Sequence, residues 1–278
     1  MYLSNYHSHN TFCDGRSHPE DFVRHAISKG MKALGFSSHA PLPFDTFWTM
    51  NRDDVVEYFQ EIERLKQKYC GQIEIYAGLE TDYLDHTHNA KTSYFVDLPT
   101  DYLICSIHYI VHPVSGELMP IDGDYADFES GTTRLFDNKL DDVIRAFFDQ
   151  SIDMVRLGGF DIIGHVDKIY LNAGKHPDFS SFQYLVDELM GKLLKMIVLS
   201  GLILEINTKS LLSSGITYPQ KHYFQQISDL RIPITINCDS HYPDHVMQGK
   251  SEIVNRLRAC GFTHTKELIE GKWQTYPL

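Results

Sequence analysis

The chain has 278 residues, enough to bury the core of one large α/β domain or two small ones. Hydrophobic residues make up 42% and charged residues 22%, as in ordinary soluble proteins, and a formal charge of −12 argues against nucleic acid as a bulk partner. Five scattered cysteines without a C-x-x-C exclude a disulfide framework or thiolate zinc site, and neither a leader pattern nor an apolar run of roughly 18 residues is present, so a cytoplasmic protein with no membrane partner is expected.

Residues 2–10 read as a first strand that runs into His7-Ser-His9. A turn follows with Asp14-Gly15, and Ser17-His-Pro-Glu20 has the form of a capping box. It opens a helix with Phe22, Val23, Ala26 and Ile27 at helical spacing. A second strand over 33–38 runs into His39, and a loop carries Pro41, Pro43, Phe44 and Trp48. The stripe Val55, Val56, Phe59, Ile62 and Leu65 predicts a helix over 52–69. The third strand, 73–79, runs into Glu80; residues 85–95 are polar and irregular, so His86 and His88 read as solvated. The fourth, 102–107, runs into His108.

Residues 109–136 lack a clear period and hold Pro113, Gly116, Pro120, Gly123 and Gly131; a loop of this length reads as a lid or binding insert. A helix over 138–157 leads to a fifth strand, 161–164, which runs into His165. A helix over 179–200, a sixth strand over 202–206 and a helix near 220–230 precede the seventh strand, 232–237. That strand runs into Asp239-Ser-His241, and a last helix over 250–259 leaves a short tail.

Strands separated by helices imply a parallel sheet with helices outside, and in such folds the loops after the strands carry the site. With no linker and no repeat, the expectation is a single domain, 1–278, folded as a (β/α)7 barrel. The strand-end residues would then gather at one mouth. Imidazole and carboxylate are the ligands of Zn, Mn and Fe. His7 and His9, like Asp239 and His241, stand at i and i+2 and point the same way on a strand. In a closed barrel the first and last strands are neighbours, which brings the two pairs together. Glu80 among imidazoles reads as a ligand able to bridge two ions. His39, His108 and His165 gain meaning as a set. His18, His25, His176, His222 and His264 read as surface residues, and His112 and His245 stay open near the mouth.

The series His-Ser-His-Asn-Thr-Phe-Cys-Asp-Gly at 7–15, Ser-Ser-His39, Gly-Leu-Glu80, Ser-Ile-His108, Gly-His165-Val-Asp and Cys-Asp239-Ser-His241 resembles, in order, the motifs of the PHP (polymerase and histidinol phosphatase) family. Glu205-Ile-Asn207-Thr resembles the family's sixth strand. Asp at position 14 and the insert after His108 are similar to its histidinol-phosphatase branch. The resemblance implies a distorted (β/α)7 barrel with three divalent metals (Zn, Mn or Fe). One metal would take His7, His9, Glu80 and Asp239; a second, Glu80, His108 and His165; a third, Asp14, His39 and His241. Asp14 rests mainly on the resemblance, since Asp-Gly is a common turn.

Clustered divalent ions suit phosphomonoester hydrolysis, because they activate water and neutralise the phosphate. No G-x-S-x-G elbow and no P-loop pattern offers another route. The expectation is hydrolysis of L-histidinol phosphate in histidine biosynthesis, with Glu80, Asp239 and His241 closest to the chemistry. Asp122, Asp124, Glu129, Phe44 and Trp48 are candidate contacts for the organic moiety, and Arg134, Arg156 and Lys209 for phosphate. Competing readings are a phosphoesterase on a nucleoside phosphate, on nucleic-acid ends or on a phosphotyrosine protein, and a non-catalytic metal-binding domain. Oligomeric state is left open.

Overall fold

The computed structural model describes residues 3–278; Tyr2, expected at the start of the first strand, lies outside the described residues. Seven strands form one parallel sheet in chain order: Ser4–Asn5, Ala33–Phe36, Glu74–Asp82, Tyr102–Ser106, Ile162–Ile163, Ile203–Asn207 and Ile234–Asn237. No strand is skipped, so each connection returns over the outside of the sheet. Among the described residues, the seam between first and seventh strands closes at one level only. There Ser8 and Ser240 form an isolated parallel bridge, with His9 N to Ser240 O at 2.8 Å and Ser240 N to His7 O at 3.0 Å. Below it, side-chain amides replace backbone pairing: Tyr6 N donates to Asn237 Oδ1 (2.9 Å) and Cys238 N to Asn5 Oδ1 (2.8 Å). The fold is the expected barrel, nearly closed and distorted at this seam.

The helices Leu140–Leu157, Gln183–Ser200 and Lys250–Ala259 lie close to where the apolar spacing puts them. Helix Pro19–Ser28 is capped by His18, whose Nδ1 accepts from Glu20 N at 3.4 Å, rather than by Ser17. Pro19 takes the first helical position, where a missing N–H costs nothing, and that shifts the cap by one. Helix Val55–Lys68 buries Val55, Tyr58, Ile62 and Leu65, while Val56 is 65% exposed. The inner stripe therefore passes through Tyr58, whose hydroxyl donates to Gly78 O at 2.7 Å, and not through Val56.

Two segments differ from expectation. The insert is ordered: Tyr109–Val111 and Leu118–Pro120 pair as an antiparallel hairpin, and Tyr125–Phe136 is a helix. Gly131 sits where a Cβ would fall 2.8 Å from Met119 Cγ, so a poor helix former allows the helix to lie against the hairpin. The C-terminal tail is a second hairpin, His264–Ile269 with Lys272–Pro277, turning at Glu270 (φ 51°) and Gly271 (φ 72°). Two successive positive φ values are what a two-residue hairpin turn requires.

This tail covers the end of the barrel opposite the histidines. Leu268 joins Tyr6, Tyr76, Tyr102 and Ile104 in one buried cluster, Leu268 N donates to Tyr6 Oη (2.9 Å), and Trp273 Nε1 donates to Asp161 (3.1 Å). A separate, larger core lies between strands and helices. No helix of the described residues is long and apolar enough to cross a membrane.

Candidate metal centre

Eight strand-end residues and Asp14 of the turn after the first strand converge at the C-terminal mouth, with Glu80 in the middle. Its Oε2 lies 3.0 Å from His39 Nδ1, 3.1 Å from His7 Nε2 and 3.5 Å from His9 Nε2. Its Oε1 lies 3.0 Å from His165 Nε2 and 3.7 Å from His108 Nε2, and accepts a bond from Ser106 Oγ at 2.7 Å. The two oxygens of one carboxylate thus face two different sets of imidazoles, the geometry of a bridging ligand. Across the seam, Asp239 Oδ1 is 3.2 Å from His9 Nε2 and 3.9 Å from His7 Nε2. At the rim, Asp14 Oδ2 is 3.2 Å from His241 Nε2, and Asp14 Oδ1 is 3.8 Å from His39 Nε2.

Local backbone places the less regular members. Gly15 packs so tightly that a Cβ would lie 2.2 Å from Asn10 N; only glycine lets the turn fold back and aim Asp14 at the mouth. Asp239 holds a left-handed φ of 46°, uncommon for a residue with a side chain. Such strain persists where the surroundings fix it, often at functional sites.

The donor set fits divalent cations. Fourteen buried side-chain polar atoms lack a hydrogen-bond partner among the described residues, and six belong to this cluster: His7 Nε2, His9 Nε2, Asp14 Oδ1, His39 Nδ1, Glu80 Oε2 and His165 Nδ1. Buried polar atoms are rarely left so. Divalent ions would satisfy the first five together; His165 meets Glu80 through Nε2, so its Nδ1 is the ring nitrogen that does not face the carboxylate. Three sets of donor atoms lie mutually close enough to hold an ion: His9, Asp14, His39 and His241; His7, His9 and Asp239; His39, Glu80 and His108.

Charge is already polarised in the protein alone. Burial opposes ionisation of Glu80, but His7, His39 and His108 outweigh it and hold the carboxyl well below its usual range. Burial also opposes ionisation of Asp239, which Lys209 and His7 overcome. Burial disfavours a charged His108, yet Asp82 and Glu80 push it up to about 9. Burial, with His39 and His241 beside it, drives His9 well below the ordinary histidine value.

Supporting residues outside the strand-end pattern complete the centre. Glu205 is fully buried and accepts from His7 Nδ1 (2.7 Å), His165 N, Asn207 Nδ2 and Asn237 Nδ2 (3.0 Å each). With four donors satisfied it has no lone pair to spare, so it fixes the tautomer of His7 rather than joining the cluster. Asp82 does the same for His108, from whose Nδ1 it accepts at 3.0 Å. Replacing Glu205 by Gln is expected to lower metal affinity and kcat/KM by about 10- to 100-fold with the fold retained, read by metal analysis and steady-state kinetics. Wild-type values for both would refute the orienting role.

The mouth opens into a cavity of about 550 Å3 lined by Asp14, His39, Trp48, His108, Tyr109, Asp122, Lys168, Lys209 and His241, among others. Lys209 Nζ lies 3.0 Å from Asp239 Oδ1 and 3.4 Å from His241 Nε2. Lys168 is buried over the Tyr218 ring, 3.7 Å from Asp122, and the sequence pattern alone does not single it out. Arg134 and Arg156 instead pair with Glu117 and Asp153 at the surface. Asp124 and Asp127 reach the cavity wall; Glu129 does not, and Phe44 stands behind Tyr109 at a ring distance of 5.6 Å. His88 is buried, contrary to expectation: a tight turn, in which Asp85 accepts from Thr87 N and His88 N, folds its ring against Phe95. His112 packs on Phe136 and His245 lies beside Tyr242; neither lines the mouth.

Fold and site together define a parallel barrel that gathers nine imidazole and carboxylate side chains at one mouth. The chain belongs to the PHP domain family, whose model matches residues 5–209. It is 24% identical over 274 residues to a Deinococcus radiodurans protein named "Probable histidinol-phosphatase", covering 95% of this chain and 98% of that one. Two solved structures share the fold. One, from Listeria monocytogenes and provisionally named a histidinol phosphatase, has a TM-score of 0.78 and 24% identity over 90% of this chain and 99% of that one. The other is a Lactococcus lactis histidinol phosphate phosphatase complexed with zinc, L-histidinol and phosphate, with a TM-score of 0.75 and 21% identity over 98% of this chain and 99% of that one.

Proposed function

We infer that this protein is a metal-dependent histidinol-phosphatase, which converts L-histidinol phosphate and water to L-histidinol and phosphate in histidine biosynthesis. The observation that carries the reading is Glu80, a buried carboxylate whose Oε2 faces His7 Nε2, His9 Nε2 and His39 Nδ1, atoms without another hydrogen-bond partner, and whose Oε1 faces His108 and His165. Held there, divalent ions would activate water at neutral pH, offset the phosphate charge and stabilise the departing alkoxide.

His7, His9, Asp14, His39, Glu80, His108, His165, Asp239 and His241 would hold three ions. Zinc, the metal of the Lactococcus lactis complex, suits this nitrogen and oxygen set, as do manganese and iron. Lys209, at the open side of Asp239, would meet the phosphate, with Lys168 behind it. The aromatic wall of Trp48 and Tyr109 would accept the imidazole, and Asp122, which His108 and Lys168 keep ionised against the cost of burial, would face the amine. The chain would act as one unit with its insert as a cavity wall, and its five free thiols fit a cytoplasmic setting.

Phosphate release from metal-counted protein tests this. Histidinol phosphate is expected to exceed a nucleoside bisphosphate and a phosphotyrosine peptide by at least about 100-fold in kcat/KM, since polar groups built for one substrate are left unpaired by another. Equal rates on all three would sink the assigned substrate and leave only a general phosphatase.

A further inference from the structure

We propose that Cys13 is a positioning residue that holds His9 in its metal-binding orientation through an N–H···S hydrogen bond. This rests on the reading of the cluster as a metal centre. His9 is the central imidazole of the site. Its ring lies between His39 and His241, with centroids 4.2 Å from each, and its fully buried Nε2 faces Asp239 and Glu80 without a hydrogen-bond partner. A ligating histidine commonly donates its other ring N–H to a fixed acceptor, which sets tautomer and orientation. For His7 that acceptor is Glu205, for His108 it is Asp82, and for His241 it is the Asp239 carbonyl at 3.1 Å. For His9 the partner of Nδ1 is the Cys13 sulfur at 3.6 Å.

The thiol is well placed for that task. Cys13 sits in the turn that also carries Asp14, and its N–H is tied to Asn10 O at 3.0 Å, so the sulfur is fixed relative to the first strand. Sulfur is a weak hydrogen-bond acceptor, and at this distance it can take an imidazole N–H. A carboxylate in its place would put a further negative charge beside Asp14. With the sulfur accepting a hydrogen bond from the Nδ1 N–H, the Nε2 lone pair is left for the metal.

The test uses full-length protein loaded with Zn2+ and, separately, with Co2+. Cys13→Ala is expected to weaken metal affinity by about 10- to 100-fold in a chelator titration and to change the Co2+ visible spectrum. Cys13→Ser, whose hydroxyl can still accept the bond, should keep most of the affinity and a spectrum near wild type. A merely packing role would spare the spectrum in Cys13→Ala, and that result, or equal affinities in all three proteins, overturns the proposal. If Cys13→Ala does not fold, the wild-type zinc protein decides: long-range 1H–15N spectra should show the His9 proton on Nδ1, and a proton on Nε2 refutes it. A wild type that takes up no metal overturns the cluster reading and this proposal with it, whereas metal uptake without histidinol phosphate hydrolysis overturns only the substrate assignment.

Discussion

Glu80→Gln should lower kcat/KM by at least about 1,000-fold, roughly 4 kcal/mol of transition-state stabilisation at about 1.4 kcal/mol per decade. The amide keeps the shape and can still accept the Ser106 hydroxyl at one end, so the barrel should fold. It cannot present anionic oxygen to both His7 and His39 on one side and His108 and His165 on the other. The metal count per chain should fall with the activity. A variant with full metal content and full rate would show that Glu80 is not the bridge.

Metal removal should have the second large effect. Exhaustive chelation is expected to take activity to background and lower the melting temperature by on the order of 10 °C. The estimate follows from linkage: a ligand present at about 1,000 times its Kd stabilises the native state by about 4 kcal/mol, and for a chain of this size each kcal/mol is worth roughly 2–4 °C. The physical source is the set of buried donors that have no other partner. Adding back Zn2+, Mn2+ or Fe2+ singly should restore both, and the ion giving the highest rate identifies the effective metal. Unchanged activity in protein shown by elemental analysis to be metal-free would refute the metal-dependent reading.

The sequence made the barrel and the gathering of eight of the nine residues legible because both follow from short-range regularities: apolar runs of strand length, each ending in an imidazole or carboxylate, with amphipathic helices between them; Asp14, in a turn, rested mainly on the family resemblance. What it hid depends on contacts. Gly131 and the Thr132-Thr133 pair weaken the helical signal of the insert, and the reason for the glycine, the nearby Met119, is visible only in three dimensions. The tail hairpin turns on Glu270-Gly271, which lacks the Asn-Gly or Asp-Gly signature. Lys168 and Asp82 sit among ordinary polar neighbours in sequence and gain their roles from residues 46 and 26 positions away, Asp122 and His108. Glu205 was visible only as part of a family-like motif; its four hydrogen bonds set its task.

The seam of the barrel has a consequence for assembly. Ser8 and Ser240, the one bridged pair across it among the described residues, stand 232 residues apart, and few backbone bonds between described residues join the strands there. An ion held by His7 and His9 from one side and by Asp239 from the other would act as a clasp between the two ends of the chain. Such a clasp works as a reversible cross-link: it removes chain freedom from the open state as a disulfide does, but it can be fastened only after the last strand has arrived. Metal uptake would then be the closing step of folding, and a ribosome-bound chain lacking Asp239 would hold an open sheet whose seven-strand ring has yet to be joined.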